Sequence, residues 1–80
     1  MKVRFYGKLA DLFGSEREVQ IDAPCRVSEL RRHLATNNPQ AGGLLQDKRV
    51  RACLGDLMVG DDHVVRQGEV IELLAPVSGG

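Results

Sequence analysis

Val27-Ser28-Glu29-Leu30-Arg31-Arg32-His33-Leu34-Ala35 is the stretch with unambiguous helical periodicity. Val27, Leu30, Leu34 and Ala35 recur at i, i+3, i+7 and i+8, while Glu29, Arg31, Arg32 and Asn37 take the other face. Arg26 is a poor cap, so Ser28 is the candidate to accept the first backbone N–H groups if the helix starts a residue or two later. Asn37-Asn38-Pro39 ends the helix, because Pro39 disfavours the helical region for Asn38. The Arg31-Arg32 pair reads as a solvated helix face.

Strands are expected on both sides of this helix. Upstream, Val3 and Phe5 alternate with Lys2, Arg4 and Tyr6, a half-buried strand ending at Gly7. Lys8–Phe13 places Leu9, Leu12 and Phe13 at helical spacings before Gly14, a single turn that covers one end of the core. Val19 and Ile21 give a short second strand, closed by Pro24. Downstream, 40–48 with Gly42-Gly43 is expected to be a flexible connection pinned by Leu44 and Leu45. Val50, Ala52 and Leu54 then alternate up to a Gly55-Asp56 turn, and Leu57–Val59 returns as a hairpin. Gly60-Asp61-Asp62 breaks the chain with turn chemistry. Arg66-Gln67-Gly68 turns into Glu69-Val70-Ile71-Glu72-Leu73-Leu74, the most β-prone segment. One helix across a mixed sheet of four to five strands is an α+β fold. Val27, Leu30 and Leu34 are expected to pack on Phe5, Val19, Ile21, Ala52 and Ile71.

The remaining composition narrows the function. Eighty residues make one small domain. Eleven basic and eleven acidic side chains cancel, which removes the general attraction that a nucleic-acid binder uses. No apolar run approaches the roughly 18 residues of a membrane span, and the N-terminus alternates charge with hydrophobe; a cytoplasmic protein is expected. Cys25 and Cys53, even with His33 and His63, show no close metal-ligand pair and read as small hydrophobes. Gly42-Gly43 lacks the Lys-Ser/Thr of a phosphate loop, and no HExxH or GxSxG is present. The two histidines lie thirty positions apart and read as ordinary rim residues.

The chemistry is concentrated at the end of the chain, in Ala75-Pro76-Val77-Ser78-Gly79-Gly80. Two terminal glycines arise by chance in about 0.5% of chains. Residues without a Cβ can thread a narrow channel, which leaves the Gly80 α-carboxylate as the reactive group. Six extended residues reach about 20 Å, far enough to enter a partner's active site while the domain stays outside.

With that tail, the strand, strand, helix, strand, strand order resembles the ubiquitin-like β-grasp sulfur carriers, in particular the small subunits of molybdopterin synthase. Val3-Arg4-Phe5-Tyr6-Gly7 with Leu12-Phe13-Gly14, Val27–Leu34 and Gly68–Gly80 carry the likeness. The family's tail usually has an aromatic and two prolines where this chain has Leu74-Ala75-Pro76. The resemblance implies a β-grasp domain over 1–74 and an extended tail over 75–80. It further implies that an activating enzyme adenylates Gly80 with ATP and that sulfur from a persulfide relay makes a terminal thiocarboxylate. This sulfur would pass to a pyranopterin precursor in a large synthase subunit, in a two-plus-two heterotetramer. Neither a bound cofactor nor a metal is expected on the domain. Pro76, Val77, Ser78, Gly79 and Gly80 would occupy the partner's channel, and Leu73, Leu74 and Ala75 would dock against its surface.

Three other readings share parts of this pattern. A thiamine-pathway sulfur carrier has the same terminal chemistry and a different partner. A protein modifier would pass the activated Gly80 to lysines; Lys2, Lys8 and Lys48 are the side chains on which it could form chains of itself. A binding module using a sheet edge leaves the diglycine unexplained.

Overall fold

The computed structural model describes residues 1–76. Five strands form one mixed sheet: β1 (Lys2–Tyr6), β2 (Glu16–Glu18), β4 (Arg51–Leu54), β5 (Leu57–Val59) and β7 (Val70–Leu74), in the order β2-β1-β7-β4-β5. The central pair, β1 and β7, is parallel; the other pairs are antiparallel. Two-residue strands β3 (Cys25–Arg26) and β6 (Val64–Val65) make a small second sheet. Helix α2 (Val27–Asn37) lies across the main sheet, with α1 (Lys8–Phe13) at one end and α3 (Gly42–Leu45) beside it.

The core follows from the two periodicities. Val3 and Phe5 on β1, Ile71 and Leu73 on β7 and Ala52 on β4 point inward and meet Val27, Leu30 and Leu34 of α2, all at most 3% exposed. Val19 is also in the core, and Ile21 packs partly buried against it. Phe5 stacks on Phe13 at 4.7 Å between ring centroids.

The structure departs from the sequence expectation in several places. The second strand lies at Glu16–Glu18, not at Val19–Ile21. Val19 exchanges backbone hydrogen bonds with Met1 at 2.8 and 2.9 Å, and the Ile21 N–H then turns back to the Val19 carbonyl, which ends the ladder. In α1 only Leu9 and Phe13 are buried; Leu12 is 46% exposed, because a six-residue helix presents one narrow stripe and the i, i+4 pair fills it. Helix α2 begins at Val27 with no Ser28 cap. Its first N–H groups, on Val27 and Ser28, donate to the carbonyls of His63 and Asp61, and the Glu29 carboxylate accepts the Arg26 N–H at 2.8 Å. The 40–48 connection is ordered as a 3₁₀ turn (Pro39–Ala41) followed by α3, with Ala41 and Leu45 buried. Finally, Arg31 is not solvated: it is 8% exposed, and the reason lies in that same connection.

The Arg31 guanidinium donates to three backbone carbonyls, those of Val50 at 2.6 Å, Leu45 at 3.2 Å and Asp47 at 3.4 Å. Its Nε lies 3.1 Å from an Asp61 carboxylate oxygen. One side chain of α2 thus gathers the segment leading into β4 and the loop leaving β5. A planar fork with five N–H groups can do this; an apolar residue cannot.

Candidate functional site

The site is organised by the end of β7. This strand is central, flanked by β1 and β4, so its last residues are fixed on both sides: Leu74 lies opposite Tyr6 on β1 and Arg51 on β4. One residue further, the Ala75 N–H donates to the Tyr6 carbonyl at 3.2 Å. The chain turns away from Gly7 at φ +69, and a Cβ there would stand 2.6 Å from the Ala75 carbonyl oxygen. Glycine at position 7 therefore lets β1 end directly against the root of the tail. Pro76 follows, half-buried.

The expected docking residues separate by the pleat. Leu73 is fully buried in the core, and Ala75 is 9% exposed. Both are corrected from docking residues to core residues: Leu73 is an inward-facing position of β7, and Ala75, just after the strand, is held against the end of β1, so neither side chain is open to a partner. Leu74 and Pro76 keep partial exposure. Of the residues expected to enter a partner's channel, Val77, Ser78, Gly79 and Gly80 lie outside the described residues.

Leu74 belongs to the outer face of the sheet, which local sequence patterns do not assemble. Its register places Tyr6, Leu74 and Arg51 in one row and Arg4, Glu72, Cys53 and Met58 in the next. Tyr6 is 43% and Met58 59% exposed, so this face joins apolar side chains to charged neighbours. The Tyr6 hydroxyl donates to Glu72 Oε2 at 2.9 Å, and this bond holds the phenol proton and raises its pKa above the usual value. Arg4 donates to Glu16 at 3.1 Å, which lowers the carboxyl's pKa. The signal for this face is present in the alternation of β1 and β7, but combining it needs the strand order.

The other candidates do not converge. Cys25 is buried, with its thiol pKa pushed up by that burial, and Cys53 is half-buried on the outer face. His33 sits 3.1 Å from Asn37 of its own helix, and His63 is exposed. Among the described residues no three His, Cys, Asp or Glu side chains group as a metal site. An open cleft of about 430 Å³ at the base of the β4–β5 hairpin is lined by Arg31, Lys48, Arg51, Met58 and Asp61 and holds no nucleophile–base pair. Among the described residues no helix is long and apolar enough to cross a membrane.

Comparison with known proteins sets this geometry in a family, since the ThiS family model matches residues 3–80. The chain belongs to the ThiS family. A curated relative, the molybdopterin synthase sulfur carrier subunit of Escherichia coli strain K12, is 31% identical over 81 residues, spanning 100% of this chain and 99% of that protein. The crystal structure of SAMP1 from Haloferax volcanii superposes with a TM-score of 0.77 at 21% identity, covering 100% of this chain and 98% of the other. A solved Pyrococcus furiosus chain gives a TM-score of 0.75 at 20% identity over 95% of each. The fold of this ThiS-family chain is accordingly the ubiquitin-like β-grasp, α+β with a five-stranded mixed sheet. In this family member the matched region runs from β1 through the terminal glycines, so the tail is part of what is shared.

Proposed function

We propose that this chain is the sulfur-carrying small subunit of a molybdopterin synthase, with the Gly80 carboxylate as its working group. The observation that carries the reading is the end-to-end 31% identity with the E. coli sulfur carrier subunit. In this reading the Gly80 carboxylate attacks the α-phosphate of ATP in an activating enzyme and expels pyrophosphate, leaving an acyl adenylate with AMP as its leaving group. The terminal sulfur of a persulfide displaces AMP to give an acyl disulfide. A second thiol cleaves its S–S bond, forming a disulfide with the donor's sulfur and releasing the terminal thiocarboxylate, and that soft, anionic sulfur attacks the pyranopterin precursor. Hydrolysis then returns Gly80 to its carboxylate. The chain's own part is geometric: β7, fixed between β1 and β4, aims the tail, and Gly7 makes room for its root. Glycines at the tip let a partner's channel close around the backbone. Acid–base groups belong to the partner, so the chain acts as a co-substrate.

The outer face fits this role. Tyr6 and Leu74 offer apolar area at the tail root and Met58 adds more two strands from β7, with Arg4, Arg51 and Glu72 interspersed among them, the mixed apolar and charged composition of an interface. We place the large synthase subunit on this face, in a two-plus-two assembly, and the whole cycle in the cytoplasm, where ATP is available.

The test is mass spectrometry of the chain after incubation with its activating enzyme, ATP and a sulfur source. The expected product has one terminal oxygen replaced by sulfur and converts the precursor when the large subunit is added. Unchanged mass would overturn the reading. Capture of Gly80 by protein lysines would make the chain a modifier, and productive pairing with a thiazole synthase instead would move it to thiamine formation.

A further inference from the structure

The two edges of the main sheet are built differently. Edge strand β2 is Glu16-Arg17-Glu18, all exposed and charged, the composition that keeps an open edge from pairing. Edge strand β5 is Leu57-Met58-Val59, with Leu57 66% and Met58 59% exposed and no charge within it. The two-residue Gly55-Asp56 turn makes Leu54 and Leu57 the hydrogen-bonded closing pair. Alternation then leaves Cys53 and Met58 as a non-hydrogen-bonded pair, so the Met58 N–H and C=O aim out of the sheet. Among the described residues no backbone group pairs with this open side.

Charge selects what can cover it. Asp61 is engaged by Arg31, whereas Asp56 at one end of β5 and Asp62 at the other make no ion pair among the described residues. A second copy of the chain pairing antiparallel through Met58 would set Asp56 beside the acidic 61–62 end of its neighbour, an unfavourable match.

We propose that β5 receives a β-strand of the tail-accepting partner, apolar in the middle and carrying Lys or Arg at its ends, which extends the sheet to six strands. This rests on the sulfur-carrier reading, in which one partner body holds the tail. β5 lies two strand spacings from β7, about 10 Å, so the same body is within reach.

The experiment uses the full chain and its cognate large synthase subunit. Met58→Ala removes the side chain and keeps the outward N–H; Met58→Pro removes both while leaving the pairing with β4 intact. By calorimetry Met58→Pro should bind about tenfold more weakly than Met58→Ala. In the complex of the unaltered chain the Met58 amide should exchange more slowly than in the free chain, and Asp56→Lys with Asp62→Lys should weaken binding. Equal affinity of the two Met58 variants, or for an unfolded Met58→Pro an unprotected Met58 amide, overturns the edge proposal while binding of the unaltered chain leaves the carrier reading standing. No binding by the unaltered chain overturns both. A homodimer in sedimentation that Met58→Pro dissolves makes the occupant a second copy and overturns the proposal.

Discussion

The Arg31 guanidinium donates to the Val50 carbonyl at 2.6 Å, which ties the middle of α2 to the residue that leads into β4. β4 in turn flanks the end of β7, so the contact helps to hold the strand from which the tail leaves. Arg31→Met should cost about 2–5 kcal/mol in urea unfolding, because the buried Leu45 and Val50 carbonyls lose their donor. Arg31→Lys should recover part of this, since an ammonium cannot span acceptors set out for a planar fork. Asp61→Ala should cost under about 1 kcal/mol, as that carboxylate is 61% exposed. Arg31→Met unfolding with the parent would show the guanidinium to be dispensable.

Leu30 is fully buried where α2 crosses the sheet. Leu30→Ala should destabilise by roughly 2–5 kcal/mol, the cost of lost burial plus a cavity. Thermal melting checks it, and a midpoint equal to the parent's would contradict the packing.

Leu73 and Leu74 should behave oppositely. Leu73→Glu places a charge in the core and should abolish cooperative unfolding. Leu74→Glu should leave the melting curve near the parent's and weaken binding to the large subunit by about tenfold or more. Unchanged affinity for Leu74→Glu would move the docking surface off this face.

Deleting Gly80, or appending a short C-terminal tag, should abolish activation and sulfur transfer while the melting temperature stays with the parent's. Gly79→Val should also block transfer, because a β-branched side chain would not pass where the backbone must be closely surrounded. Retained sulfur transfer in the tagged chain would refute the carrier chemistry.

Asp47 and Arg49 give a pH prediction. Arg49 donates to the Asp47 carboxylate through Nε, Nη2 and its backbone N–H, and its side chain above all lowers the Asp47 pKa from 3.8 to about 2. A carboxyl depressed in the folded state stabilises above its ordinary pKa, and that contribution is lost as pH falls through 3.8 toward about 2. Carbon-detected NMR titration should place the midpoint near 2, and Arg49→Ala should return it toward 3.8. A midpoint near 3.8 in the unaltered chain would show that the bonds do not persist in water.

Elements with a long repeat are legible in the amino-acid pattern alone. The alternation of Val3 and Phe5, the i, i+3, i+7 pattern of Val27, Leu30 and Leu34, and the apolar run into β7 each bury what their period predicts. Short elements carry no such pattern. Strands β3 and β6 are two residues each, and β2 is all charged; only their partners identify them as strands. Arg31 reads as solvated for a related reason: its position on the helix follows from the period, but the carbonyls that surround it come from a segment 14 to 19 residues away.

The α+β class, the helix and its core face are legible in the amino-acid order alone, because each rests on a local period. Only the assembled sheet settles which of Leu73, Leu74 and Ala75 keeps exposure, which neighbours Leu74 has on the outer face, and which sheet edge stays open. The reason is physical: a residue's periodicity is local, whereas exposure and unpaired backbone depend on strands distant in sequence that hydrogen bonding places side by side.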